Sequence, residues 1–389
     1  MARELRLGEA QRAALLGAFF SGYILTQFPS GLAVQRWGPK SLVTLNLIGH
    51  TVCLALLPTA ARFGSGGIYA CLVGIGLSQG PLGPTHAAMR VARVPSTGPL
   101  RAWALTVTSI GSKLAGPLSG MAVPVCAARF GWRGVSSALA LMLAATTAIW
   151  HALGPDHKPF VIDQGDTSQG RPKIEWRVFQ TAGVLSTATA HLIDNFSTYS
   201  IGLLAPSVLT ETLRVQPHAL GPFLAVPTAL NPLCAILVTS AVAAVHKRGL
   251  SEVRVQKIAT GVGGATEAVF LLLLTAARTP WQFVSAWCGV IIGHCCHDHG
   301  YESNKSTSGG PDAAIIESVV NPIANFPGLI GPLLATFFLR RFGSRMPLFT
   351  LAAACQAGAA VLFCKYAADK PARDVLSLQH SREARTKRQ

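Results

Sequence analysis

Phe19–Lys40 reads FFSGYILTQFPSGLAVQRWGPK. Its first part is an apolar run of membrane-span length, interrupted by Gly, Tyr, Gln and Pro. Its last part, Gly31–Lys40, is a tight basic turn that leads into a second apolar run. A span that carries polar groups and ends in a Gly/Arg/Lys turn points to a transporter more than to an anchor.

The rest of the chain extends that pattern. Half of the 389 residues are hydrophobic and only 13% are charged, against about a quarter in soluble chains. Gly (38) and Pro (24) are abundant, and both are tolerated in membrane helices because neighbouring groups satisfy the freed backbone. A spanning helix needs about 20 mostly apolar residues. Eleven stretches qualify: Ala13–Gln35, Ser41–Ala60, Gly67–Met89, Ala102–Ala127, Gly134–Leu153, Phe179–Leu209, Leu220–Val245, Val255–Ala276, Trp281–Gly300, Ala313–Leu339 and Pro347–Ala367. A net charge of +16 would suggest nucleic acid in a soluble protein. Here the basic residues lie mostly in turns between spans, so the positive-inside rule accounts for them and no nucleic-acid partner is expected. With the Arg36/Lys40 turn cytoplasmic, that side holds 21 Lys and Arg against 11 opposite, and Lys113 lies within a span. The nine Cys residues are scattered and form no CxxC pair, which argues against a disulfide framework. Met1–Arg12 is polar and runs straight into the first span, so no cleavable signal peptide is expected.

The longest polar connection, Gly154–Trp176, separates five spans from six. The expected organisation is an N-terminal bundle (1–153), a cytoplasmic linker (154–176), a C-terminal bundle (177–368) and a basic, disordered tail (369–389). Two helical halves joined by a long loop are a common transporter plan. The second half has its own basic turn, His246–Lys257, after its second span.

Several motifs resemble one family. G-x-x-x-x-R-x-G-x-K at Gly31, Arg36, Gly38 and Lys40 resembles the major facilitator loop that follows that fold's second helix, with Gln35 where the family has Asp. Phe19–Gly31 is similar to the FFWGYxxTQxPGG run of the anion:cation symporters, which include sodium/phosphate, sialic acid, vesicular glutamate and plastid phosphate transporters. GLSQGPLGPTH (Gly76–His86), GPLSG (Gly116–Gly120), RFGW (Arg129–Trp132), Ala225–Pro227, Glu267, Asn304 and Asn321 follow in the family's order. The resemblance implies an all-α major facilitator fold that lacks the first helix of the usual twelve. It also exposes replacements. The family's fourth-helix Glu is Gln79, its fourth-helix Arg falls near Leu72, and its seventh-helix Arg aligns with Asp194. The resemblance further allows a plastid envelope or an internal membrane as the site of residence.

Ionisable groups within spans are costly, about 2.5–3.5 kcal/mol on insertion scales, and therefore mark cavities or partners. Lys113 either supplies positive charge to an anionic substrate or makes a structural ion pair. Asp194 binds a coupling cation or proton, pairs with Lys113, or reaches water at a helix end. Glu267 is expected to pack structurally or to snorkel. Glu317 and Asn321 share a face and are expected to line the cavity. Tyr23 and Gln27 also share a face; with Tyr199 they offer neutral donors to phosphate or carboxylate, or bond helix to helix. His50, His86 and His191 are proton sites or hydrogen-bonded fillers. His294–His299 (HCCHDH) has zinc-ligand chemistry but poor spacing, and reads better as a polar helix end at the cytoplasmic surface, with no metal site. Prolines such as Pro81, Pro84, Pro227, Pro232, Pro322 and Pro327 permit kinks.

No nucleophile triad, P-loop or dinucleotide fingerprint occurs; GVGG (Gly261–Gly264) lies within a span. The sequence therefore predicts a multi-pass membrane protein that is not an enzyme and needs no cofactor. Its expected role is symport of a small anion, phosphate or carboxylate, with sodium or a proton, by alternating access. The alternatives are a non-transporting or truncated relative acting as scaffold or sensor, and a carrier of metal or cationic substrate.

Overall fold

The computed structural model describes residues 9–95, 97–154, 175–216 and 219–378. Most of the expected linker, residues 155–174, and the tail beyond 378 lie outside the described residues. Among the described residues the chain is helical and holds no strand.

Helix α1 (Glu9–Ala60) contains the decisive stretch. The expected ten-residue turn is far shorter: helix persists on both sides of Gly38, whose φ of 76° and ψ of 165° make the break. Only glycine enters that region freely, and Pro39 then supplies a φ suited to restarting the helix. Helices α2 (Gly64–Gln79) and α3 (Leu82–Arg93) are joined by Gly80 and Pro81, both with helical backbone angles, and form one bent rod. Helix α4 (Pro99–Leu153) breaks as α1 does, at Gly131 (φ 68°, ψ 166°). The remaining helices are α5 (Ala182–Ser207), α6 (Leu220–Lys247), α7 (Glu252–Ala276), α8 (Pro280–Gly309), α9 (Ala313–Phe342) and α10 (Met346–Tyr366). A capping box, Thr279 with Gln282, starts α8, and Gly343 in the left-handed region ends α9.

Among the described residues, six stretches are long and apolar enough to cross a membrane. In Val125–Leu153 only 11% of the most apolar window is buried. Large apolar side chains such as Leu141, Leu153, Val125 and Leu237 face outward. A soluble bundle would bury that stripe; exposing it on all sides is the pattern of helices solvated by lipid. The chain is a multi-pass membrane protein. Helices α5 and α8 are absent from the six because of their polar runs, HLIDNFSTYS and HCCHDHGYESNKS.

Helix α1 packs on α2, α4 and α9; α7 on α8 and α10; α5 on α8, α9 and α10; and α4 on α6. The largest apolar core joins α5, α7, α8 and α10 around Leu271, Phe283, Trp287 and Phe349. Glycine sets the closest approaches. A Cβ on Gly76 would fall 2.0 Å from the Phe19 carbonyl oxygen, and one on Gly263 would fall 2.3 Å from the His297 backbone nitrogen. Lipid offers no hydrophobic drive for helix association, so such contacts carry it through close packing. The tail does not begin disordered: residues 372–378 are helical, Ala372 is buried, and Arg373 is ion-paired with Asp312.

Candidate functional site

A cavity of about 940 Å³ lies between α3, α4, α5 and α8. From α3 it receives His86, Arg90 and Arg93; from α4, Lys113; and from α5, His191, Asp194 and Tyr199. Helix α8 contributes His294, Asp298, His299, Tyr301 and Glu302. Of the sequence-predicted site residues, Lys113, Asp194 and Tyr199 line this space, as do His86 and His191 of the candidate proton sites.

Lys113 does not pair with Asp194. Its Nζ donates to Asp298 Oδ2 at 3.1 Å, across the cavity from α4 to α8. Asp194 is buried and held otherwise. His294 Nδ1 is 2.9 Å and His297 Nδ1 3.2 Å from its Oδ1, and the Tyr301 hydroxyl donates to its Oδ2 at 2.9 Å. Asp194 is therefore no helix-end carboxylate, and His294–His299 is no helix end at the surface: the run lies in the middle of α8. The reason is periodicity. His294, Asp298, Tyr301 and Lys305 recur at spacings of three and four and fall on one face of a helix whose polar stripe turns inward. Glu267 does not snorkel. It is fully buried, its Oε1 is 3.6 Å from His297 Nδ1, and neither carboxylate oxygen has a well-formed hydrogen bond. The Gly263 and Gly293 approaches bring α7 against α8 closely enough to place it there.

The other predicted residues are grouped elsewhere. Glu317 is paired with Lys305 at 3.3 Å, and Lys305 also holds Glu302 at 2.5 Å. Glu302 in turn accepts from Arg90 at 2.7 Å. Glu317 thus belongs to a charge network that adjoins the cavity and does not line it. Tyr23 accepts from Asn321 at 3.1 Å, Asn321 accepts from Asn325 at 2.8 Å, and Tyr199 donates to Asn325 at 2.5 Å. This neutral chain runs from α1 through α9 to α5, and Tyr199 is its end in the cavity. Gln27 is fully buried one turn after Tyr23. Gln79 bonds His50 at 3.0 Å, tying α2 to α1 outside the cavity lining. At the loop motif, Gly31 packs against Ser318 of α9 with no room for a Cβ, Arg36 is exposed, and the Lys40 carbonyl accepts from Trp150 Nε1 at 3.4 Å.

Sequence reasoning missed Arg101. It is 5% exposed, with its Nε 3.3 Å from Glu252 of α7 and its Nη2 donating to the Ser303 carbonyl of α8 at 2.8 Å. It also missed Arg90–Glu302. In both cases the residues looked like ordinary members of basic or polar segments at helix ends. Asp194, Glu267 and His297 present one donor atom each within 4.8 Å of one another. No spacing in the sequence foretells that, because the three come from three different helices, α5, α7 and α8.

The sequence model of the Major Facilitator Superfamily matches residues 1–296, and the chain belongs to that superfamily. Its relatives are of the anion-transporter kind. It is 26% identical to sialin of Ovis aries, over 91% of this chain and 74% of that one. It is 22% identical to "Probable anion transporter 4, chloroplastic" of Oryza sativa subsp. japonica, over 90% of this chain and 61% of that one. Among solved structures it resembles the proton:xylose symporter XylE, with a TM-score of 0.74 at 12% identity, over 96% of this chain and 91% of that one. That last likeness is one of fold.

Proposed function

We propose that this chain is a secondary active transporter that carries a small anion, an organic carboxylate or phosphate, through the α3–α4–α5–α8 cavity by alternating access. The observation that carries the reading is Lys113. It is a cation in the wall of a 940 Å³ cavity, held by one carboxylate that is itself a quarter exposed. An entering carboxylate or phosphate oxygen can take the place of Asp298 at the ammonium. That exchange keeps the ammonium paired throughout and releases Asp298, whose side chain is only partly buried, toward the cavity. The relatives support the cargo class: their names include sialin, chloroplastic anion and ascorbate transporters, and an inorganic phosphate cotransporter.

The two bundles, 1–153 and 177–368, are the bodies that rock. Arg90–Glu302 and Arg101–Glu252 join them at the ends of α3, α4, α7 and α8. In this state those pairs hold one end shut, and breaking them is a step of the cycle. The Gly31–Lys40 segment, with its break at Gly38, is the pivot between the first two rods.

The test is uptake of labelled phosphate, ascorbate and sialic acid into proteoliposomes under imposed sodium or proton gradients. Saturable uptake of one of them, reduced by Lys113→Gln, is expected. Absence of flux for every anion under either gradient overturns the reading.

A further inference from the structure

We infer that Asp194, His294, His297 and Glu267 form a proton-binding site that couples anion movement to proton movement. This rests on the transporter reading and names its coupling ion.

The argument is one of charge. Among the described residues the buried carboxylates of this region are matched to permanent cations, with two exceptions. Asp298 has Lys113, Glu302 has Arg90 and Lys305, Glu317 has Lys305, and Glu252 has Arg101. Asp194 and Glu267 have no Lys or Arg at ion-pair distance; their only charged-group contacts are His294 and His297. Glu267 is fully buried, neither oxygen has a well-formed hydrogen bond, and the polar neighbour from α10 is the uncharged Gln356 amide. An ionised carboxylate cannot be kept in that condition without a counter-charge. The nearest group that can supply one is an imidazole, which does so only by taking a proton.

The geometry gives the proton a path. His294 and Asp194 face the cavity. Asp194 Oδ1 touches both His294 Nδ1 and His297 Nδ1, at 2.9 and 3.2 Å. His297 Nδ1 is then 3.6 Å from Glu267 Oε1. A proton entering at His294 moves through Asp194 Oδ1 to His297 Nδ1, and that same nitrogen faces Glu267 Oε1. Among the described residues the neighbouring ionisable groups are His191 and Tyr199 from α5, Cys296, Asp298 and Tyr301 from α8, and Lys113 from α4. Helix α10 presents Gln356, an amide at 3.1 Å from His297. Coupling follows from Asp298. When an anion takes Lys113, Asp298 loses its cation one helical turn from His294, and a proton on the site restores balance. One monoanion and one proton then cross together without net charge.

The same three donors could hold a divalent metal, so the test includes zinc. Wild type, Glu267→Gln and His297→Gln are compared in proteoliposomes with labelled phosphate, ascorbate and sialic acid. Anion exchange at equal pH reports the path; accumulation under a pH gradient reports coupling. One pH unit supports about tenfold accumulation for one proton per monoanion. The expected result is that both variants still exchange but accumulate nothing above equilibrium. Accumulation by Glu267→Gln equal to wild type overturns the inference. If wild type exchanges no anion, the transporter reading fails, and infrared spectra of purified protein decide the site separately. A carboxylic-acid band that titrates with pH and is missing in Glu267→Gln sustains the proton site; absence of that band overturns it. Zinc binding by wild type that is lost in Glu267→Gln, with uptake indifferent to pH, also overturns it.

Discussion

Arg101→Ala tests whether the ties at the ends of α3, α4, α7 and α8 are a gate. The side chain is nearly fully buried and spans three helices. Its Nε lies 3.3 Å from Glu252 and donates to Ser303 Oγ at 3.1 Å; its Nη2 donates to the Ser303 carbonyl at 2.8 Å and its Nη1 to the Pro95 carbonyl at 3.2 Å. Removing one partner of a buried ion pair costs about 3–5 kcal/mol. Glu252 keeps His246 at 3.3 Å and Gln256 at 3.1 Å, so the lower end, about 3 kcal/mol, is the appropriate figure. The loss falls on the closed state alone if opening already breaks these contacts. An energy of about 3 kcal/mol is a change of about 150-fold in the equilibrium, enough to take a gate that is about 99% closed to about half open. Spin labels at Val91 and Arg248, both exposed, read this by pulsed electron resonance in a background freed of native thiols. Wild type should give one short distance, and Arg101→Ala should add a longer one of comparable weight. A single unchanged distance, with a lowered melting temperature, would show that Arg101 supports the fold of both states equally and is no gate.

Other substitutions address separate links. Lys113→Gln leaves Asp298 without its cation and removes the proposed anion contact, so exchange should fall by about 100-fold or more, with partial recovery in Lys113→Arg; equal exchange by all three proteins would remove Lys113 from the substrate path. Tyr301→Phe deletes the donor to Asp194 and should lower stability by about 1.5–3 kcal/mol, the range for hydrogen bonds to charged groups, as read by thermal unfolding in detergent. Gly76→Ala puts a methyl 2.0 Å from a fixed carbonyl of α1, which forces the helices apart at a cost of about 1–3 kcal/mol or more. Gly116→Ala, with open space at its Cβ, is the matched control and should unfold with wild type.

Much of the architecture was legible because it depends on local pattern. Apolar length and the Gly–Pro pair at 38–39 mark helix and break without reference to any other part of the chain. Partners were not legible. Lys113 and Asp194 were the conspicuous charges, and pairing them was reasonable, yet Lys113 took Asp298. What decides is which glycines let which helices touch, and at Gly263 and Gly293 that information appears only once α7 and α8 are side by side. The HCCHDH run shows the same limit from another direction. Judged by adjacent spacing it is a poor ligand set; judged at spacings of three and four, with Tyr301 and Lys305 beyond it, it is one face of a buried helix.

The replaced charges acquire a meaning once the partners are known. The resemblance to the anion:cation symporters implies that two arginines and a glutamate are replaced, near Leu72 and at Asp194 and Gln79. The cavity lining now carries Arg90, Arg93 and Lys113 against Asp194, Asp298 and Glu302, so its permanent charges balance. A cavity of that kind does not hold an anion by fixed charge alone. Glu267, behind the lining, adds one further negative group with only imidazoles for company. An anion bound here therefore brings the region to a deficit that protons on His294, His297 or Glu267 can remove. In a site with fixed arginines, anion binding needs no proton. With Asp194 there, anion affinity should rise as pH falls, and Asp194→Asn should flatten that dependence. Binding of phosphate or ascorbate to the purified protein that is equally strong at acid and alkaline pH would break the link between the two.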